Sequence, residues 1–270
     1  MKNPIIFTDL DGTLLDYSTY SFDRALPALT LVRARGIPLV ICSSKTRKEI
    51  EWYRKKLENR HPFSTENGGG IFIPAGYFDP LEPPAGLTLT SEAGYSRISL
   101  GAPYRTLRRV VEELRNEGFE ITGFGDMSTA EVAAVTGLSE ESAAMARERD
   151  FDEPFLFDAD ESATEKLREA VRDKGFNLTQ GRFFHLLGDN DKGKAVAVLA
   201  GLYRRKHGTI TTIALGDGLN DQPMLERVDC PILVKRPDGV HDPRILVHGL
   251  VRAEGIGPDG WNRALLELLG

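Results

Sequence analysis

Asp9-Leu10-Asp11-Gly12-Thr13 follows directly on the apolar run Ile5-Ile6-Phe7. β-Branched and aromatic residues dominate positions 5–8 and a glycine follows at 12, a pattern that predicts a short buried strand ending in carboxylates. Side chains at i and i+2 of an extended segment project to the same side, so Asp9 and Asp11 point together beyond the sheet edge. Two unit charges about 4 Å apart at an effective dielectric near 20 repel by roughly 4 kcal/mol, which calls for a cation or a shared proton. A calcium loop is excluded, because it needs glycine at its sixth position and glutamate at its twelfth, where this chain has Leu14 and Tyr20. A hairpin turn at Asp11-Gly12 or a helix capped by Asp11 stays open on these residues alone.

The surrounding composition is that of a globular protein. Of 270 residues, 41% are apolar and 27% charged, enough for one large or two moderate domains with proper cores. No stretch approaches the roughly 20 apolar residues of a membrane span. Residues 1–4 lead into a strand and not into a secretory segment, so the expectation is a cytoplasmic protein without a membrane partner. The net charge of −6 argues against nucleic acid as the main partner. Cys42 and Cys230 each stand at one end of an apolar run and read as small buried hydrophobes, without a disulfide or zinc framework.

Moving outward, residues 26–35 have helical periodicity and stop at Gly36, and residues 37–42 form a second apolar run without alternation, as for a strand covered on both faces. That run ends in Ser43-Ser44-Lys45, before a helix marked by Ile50, Tyr53 and Leu57. Hydroxyls at a helix N-terminus suit an anion, although a serine cap gives the same pattern. Glu66-Asn67-Gly68 between apolar runs reads first as a hairpin turn. Four prolines in residues 74–84 mark a domain boundary. Residues 85–187 read as a second α+β unit with capping boxes at Ser128/Glu131 and Ser162/Glu165 and two strands joined at Gly181-Arg182. From 188 the first architecture returns: a helix from Lys192, then a strand over 211–215 ending in Gly216-Asp217-Gly218-Leu219-Asn220-Asp221, and a terminal helix carrying Trp261. Residues 239–260 carry no assignable pattern.

Three strand ends thus carry polar clusters, and in an open α/β sheet ligands bind beyond the carboxyl ends of the strands. Asp9, Asp11, Asp217 and Asp221 in one crevice would need a cation, and an all-oxygen donor set points to Mg²⁺ with a substrate phosphate. Lys192 would add positive charge there, or stand as a solvated lysine.

These residues resemble the haloacid dehalogenase superfamily of phosphohydrolases. Asp9 to Thr13 is similar to its first motif, Ser43 to its second, Lys192-Gly193 to its third and Gly216 to Asp221 to its fourth, in the family's order. The insertion lies where members carry a C2-type cap. A narrower resemblance to the mannosyl-3-phosphoglycerate phosphatases rests on residues 45–49, 66–70, 149–155, 181–186 and 257–262.

The resemblance implies a Rossmann-like, doubly wound parallel-sheet α/β core (1–84 and 188–270) with an inserted α+β cap (85–187) that sets specificity. It implies a Mg²⁺-dependent phosphatase of a phosphorylated sugar or glycoside. Asp9 would be the nucleophile and Asp11 the general acid and base, with Ser43 and Lys192 on the phosphoryl oxygens. Asp9, Asp11, Asp217 and Asp221 would hold the metal, and Asp221 with Asn220 would orient its waters or Lys192. Ser44, Lys45, Gly68, Arg182 and Asn220 would contact substrate, Glu66 and Asn67 would reach its sugar hydroxyls or the cap's arginine, and Arg182 would meet a substrate carboxylate or else stand as a solvent-facing turn residue. His185 reads as packing. Phosphoryl transfer between sugar positions and a non-catalytic sugar-phosphate-binding module remain as alternatives.

Overall fold

A computed structural model describes residues 1–270. The first half of the core contains β1 (Pro4–Thr8), α1 (Leu26–Ala34), β2 (Leu39–Cys42), α2 (Arg47–Lys56), β3 (Phe63–Thr65), β4 (Gly70–Pro74), β5 (Leu89–Glu92) and β6 (Tyr95–Ser99). The insertion follows with α3 (Tyr104–Asn116), β7 (Thr122–Gly123), α4 (Thr129–Thr136), α5 (Glu140–Ala146), β8 (Asp152–Leu156), α6 (Glu161–Asp173), β9 (Asn177–Gln180) and β10 (Phe184–Leu187). The chain then returns through α7 (Lys192–His207), β11 (Thr211–Gly216), α8 (Gln222–Leu225), β12 (Cys230–Lys235), β13 (Val251–Ile256) and α9 (Pro258–Leu269).

The core is one nine-stranded sheet in the order β13-β12-β11-β1-β2-β3-β4-β6-β5. The six strands from β13 to β3 run parallel, with β1 paired to β2 on one side and to β11 on the other. β4, β6 and β5 close the far edge antiparallel. Alternation along the strands feeds two hydrophobic layers. Ile6, Leu39, Ile41, Ile213 and Leu215 face the layer containing α1 and α9, while Ile5, Phe7, Val40, Cys42 and Ala214 face α7. Both faces are covered, which is why these strands read as continuous apolar runs. Cys42 and Cys230 are free thiols.

Two boundaries differ from the sequence reading. The stretch 89–99, expected at the start of the inserted unit, extends the core sheet, with β6 paired to β4 and β5 paired to β6. The proline-rich segment before it is therefore a surface connection within the core, and the second sheet begins beyond residue 100. Helix α6 is capped by Asp160, whose side chain accepts from the Ala163 N–H, and not by Ser162. Within the unassigned tail, β13 pairs parallel to β12.

The inserted unit is a four-stranded antiparallel sheet, β7-β8-β10-β9. Helices α3 and α6 bury Leu107, Val111, Leu114, Leu167 and Val171 against Phe155 and Leu186 on one face. Helices α4 and α5 pack on each other around Val132 and Ala143, in a separate cluster with Phe124 and Met127. The other sheet face looks onto the core.

The terminal helix reaches the strand that carries Asp9. Trp261 is fully buried, and its Nε1 donates to Thr8 Oγ1 at 3.0 Å, while that hydroxyl donates to Asp9 O at 2.7 Å. Trp261→Phe removes the indole donor and leaves space around Thr8, and should lower stability by about 1–3 kcal/mol. The check is a urea unfolding midpoint that falls at unchanged slope.

Candidate active site

β1 passes its register to the site through the Asp9 N–H, which donates to Leu215 O on β11 at 3.0 Å. The chain then folds tightly, with the N–H groups of Thr13 and Leu15 both donating to Leu10 O, at 3.1 and 2.8 Å. Gly12 has φ +78°, and a Cβ there would stand 2.7 Å from Asp217 Oδ2, so both conformation and space require glycine. Thr13 Oγ1 donates to Asp217 Oδ1 at 3.2 Å. Two segments more than 200 residues apart are thereby locked together.

Lys192 opens α7 with no exposed surface, and its Nζ lies 2.6 Å from Asp9 Oδ1 and 2.6 Å from Asp221 Oδ1. The other oxygen of Asp221 accepts the N–H groups of Asp217 and Gly218, at 2.9 and 3.1 Å. The solvated-lysine reading is thus excluded. Burial alone would lower the Lys192 pKa, and Asp221 and Asp9 overcome that and raise it.

Carboxylate oxygens of Asp9, Asp217 and Asp221 lie within 4.8 Å of one another. Burial lifts Asp9 to about 7, with Lys192 opposing and Asp221 adding. Asp217 is pushed well above the usual carboxylate range by burial, then by Asp221 and Asp9. Asp11 Oδ1 is buried without a hydrogen-bond partner. Crowded, under-neutralised oxygen donors of this kind fit a hard metal cation.

Above this floor the insertion roofs a cavity of about 410 Å³. The core contributes Asp9, Asp11, Ser44, Lys45, Asp217 and Asn220, and the roof contributes Arg149, Arg182 and His185. The roof is fastened by Arg149 Nη1 donating to Ser44 O at 2.7 Å, Thr46 Oγ1 donating to Met145 O at 2.9 Å, and Tyr20 OH donating to Thr136 O at 3.3 Å.

Several expected residues stand elsewhere. Ser43 is fully buried beneath the wall, its hydroxyl accepting the Lys45 N–H at 3.3 Å, and α2 is capped one turn later by Thr46 with Glu49. Lys45 does not point free into the cavity. Its Nζ bridges Asp11 Oδ2 at 3.0 Å and Glu49 Oε1 at 3.2 Å. Burial would depress Lys45, and those carboxylates outweigh it and hold the pKa above the usual lysine value.

Glu66, Asn67 and Gly68 do form the β3–β4 turn, but they are buried under the roof and line no part of the cavity. Glu66 accepts from the N–H groups of Asp150 and Phe151, at 3.0 and 2.7 Å. Asn67 donates to Asp152 Oδ2 at 2.9 Å and accepts from Asn220 Nδ2 at 3.1 Å. A Cβ on Gly68 would fall 2.0 Å from Asp191 O, so this glycine serves the contact with the start of α7. The turn thus fastens roof to core and leaves substrate contact to others.

Arg182 does reach the cavity, donating to Tyr20 OH at 3.1 Å and Val135 O at 3.4 Å, with no carboxylate partner. Sequence reasoning missed Arg149 and Tyr20 and took His185 for packing. The signal for His185 was the alternation of β10, in which Phe184 and Leu186 go to the apolar layer and the residue between them must go to the opposite face.

A family model described as haloacid dehalogenase-like hydrolase matches residues 6–77. A glucosyl-3-phosphoglycerate/mannosyl-3-phosphoglycerate phosphatase of Methanococcoides burtonii is 50% identical, over 98% of this chain and 97% of that one. The chain belongs to the haloacid dehalogenase-like hydrolases. A mannosyl-3-phosphoglycerate phosphatase of Pyrococcus furiosus is 35% identical to this hydrolase over 85% of its length and 90% of the relative's. Among solved structures, a phosphatase of the same superfamily from Bacteroides thetaiotaomicron has TM-score 0.67 at 17% identity, covering 100% of this hydrolase and 96% of that chain. Its likeness bears on the fold alone. No helix of the hydrolase is long and apolar enough to cross a membrane.

The buried turn gives a test of its own. Burial lifts Glu66 from 4.5 to about 8, with Arg149 opposing. A carboxyl whose folded pKa exceeds its unfolded value binds its proton more tightly in the native state, so stability falls as pH climbs between the two values. Relative to Glu66→Gln, the wild type should lose stability from pH 4.5 to about 8 and level off above that window. Urea unfolding of both proteins across this pH range measures the difference.

Proposed function

We propose that this hydrolase removes the phosphate of a glycosylated 3-phosphoglycerate, carrying a mannosyl or a glucosyl unit. As a haloacid dehalogenase-like hydrolase related at 50% identity to a phosphatase, it is a phosphatase of phosphoric monoesters. The observation that carries the substrate class is Arg182. Lys45, Arg149, Arg236 and Arg244 on the cavity wall each have an acidic partner, whereas the Arg182 guanidinium has none. A phosphoglycerate glycoside has a second anionic group, its carboxylate, and a guanidinium fork meets a carboxylate in two parallel bonds.

The reaction follows from the floor residues. Lys192 holds Asp9 through Oδ1 and fixes the rotation of the carboxylate that attacks phosphorus. As the Asp9–phosphorus bond forms, the bond from phosphorus to the glycerate C3 oxygen breaks, leaving an aspartyl-phosphate. Asp11 lines the cavity beside Asp9, held through Oδ2 by Lys45, and is the residue that delivers a proton to the departing oxygen. In the second half Asp11 takes a proton from water, whose oxygen displaces Asp9 from phosphorus and releases inorganic phosphate. Mg²⁺, held by Asp9, the Asp11 backbone carbonyl and Asp217, would supply the charge that lets a carboxylate approach a phosphate. Ser44 lines the cavity and would face the phosphoryl group, while Ser43 is buried behind it and supports the Lys45 backbone. The roof excludes bulk water while the acyl phosphate stands.

A phosphate-release panel with Mg²⁺ tests the reading. Glycosylated 3-phosphoglycerates should exceed 3-phosphoglycerate itself in kcat/KM by at least about tenfold, and equal turnover of both would sink the substrate assignment. Asp9→Asn should lower kcat by about three orders of magnitude or more, as read in the same assay. Arg182→Met removes a charge-assisted bond and should raise KM for the glycosylated ester by about ten- to hundredfold, with a smaller change in kcat.

A further inference from the structure

One buried polar group on the roof takes no part in the chemistry above. His185 is 5% exposed and lines the cavity from β10. Its Nδ1 lies 2.9 Å from both Oδ1 and Oδ2 of Asp152, a carboxylate with no exposed surface. The pleat explains the meeting. His185 stands opposite Pro154 in the β8–β10 ladder, and Asp152, two residues earlier, shares that face.

Asp152 is fixed from the core side as well. Asn67 Nδ2 donates to it at 2.9 Å, and Arg149 Nη1 stands 3.8 Å away. An ionised carboxylate only accepts, so the hydrogen on Nδ1 points to Asp152. Nε2 is then the ring atom left over, and it makes no hydrogen bond within the chain. A ring held at one edge by a buried anion and open at the other is oriented for recognition.

The floor of the cavity holds the phosphate chemistry, so the organic part of the ester extends towards the roof. There Arg182 takes the carboxylate of the glycosylated ester, and the hydroxyl-rich glycosyl unit remains. We propose that His185 is a specificity-determining residue whose Nε2 accepts a hydrogen bond from a hydroxyl of that unit, with Asp152 as its positioning residue. This rests on the glycosylated-ester reading. The anchor continues into the core, since Asn67 Oδ1 accepts from Asn220 Nδ2 at 3.1 Å, and Asn220 lies in the same turn as Asp221.

Two isosteric variants separate recognition from support. The amide of His185→Asn reaches the place of Nδ1 and keeps the Asp152 bond, whereas that of His185→Gln reaches the place of Nε2. The readout is the ratio of kcat/KM on the glycosylated ester to kcat/KM on p-nitrophenyl phosphate, which has no sugar. His185→Asn should lower this ratio by about tenfold or more, mainly through KM, and His185→Gln should recover most of it. An unchanged ratio in His185→Asn, or an equal fall in both variants, overturns the proposal. If either variant folds poorly by circular dichroism, Asp152→Asn takes its place: the ratio falls, or the proposal fails. The wild-type panel keeps the two readings distinct. A wild type that prefers another glycosyl phosphate refutes the phosphoglycerate assignment alone, and the ratio is then taken on that ester.

Discussion

Lys192 Nζ sits 2.6 Å from Asp9 and 2.6 Å from Asp221, with no exposed surface, so the end of β1, the turn after β11 and the first residue of α7 meet at one charge. An ammonium buried that deeply is tolerable only while both carboxylates face it, and the carboxylates are tolerable only while it is there. The rest of the core follows from that mutual dependence. Gly12 makes room for Asp217, Thr13 holds it, and Trp261 fixes the Thr8 hydroxyl beneath Asp9. Burial lifts Asp9 and Asp217 in pKa, neighbouring carboxylates add to it, and one positive charge does not neutralise the cluster, so the geometry accommodates a cation.

The roof is attached through buried polar contacts more than through an apolar interface. Glu66 ties the β3–β4 turn to the N–H groups that open β8, and Asn67 joins Asp152 to Asn220. Lys45 links Asp11 to Glu49, and its ammonium lies 5.1 Å from the centre of the Tyr20 ring, whose hydroxyl bonds the roof. Directional contacts of this kind fix one closed arrangement sharply, because a buried donor or acceptor left unpaired is costly.

Much of this was legible from local chemistry. The β-branched run before Asp9, the helix stop at Gly36 and the capping box at Ser128 and Glu131 each reappear as β1, the end of α1 and the start of α4. Where the reading failed, the cause was a partner supplied by another part of the chain. Residues 89–99 have no distinguishing composition, and only the ladders of β6 with β4 and of β5 with β6 assign them to the core sheet. Glu66 and Asn67 look like ordinary turn residues, and Lys45 like a free cation, until the roof and Asp11 are set beside them.

The sequence by itself determined the strand-end carboxylates and the parallel core with an insertion, because spacing along an extended chain fixes which side chains share a face, and its four motifs carried the resemblance to the family. Only the tertiary structure decided which of those side chains are free to meet a substrate. That depends on pairing between residues such as Lys45 with Asp11, or His185 with Asp152. Neither pair has a local signature, since burial and partnership are properties of the packed whole.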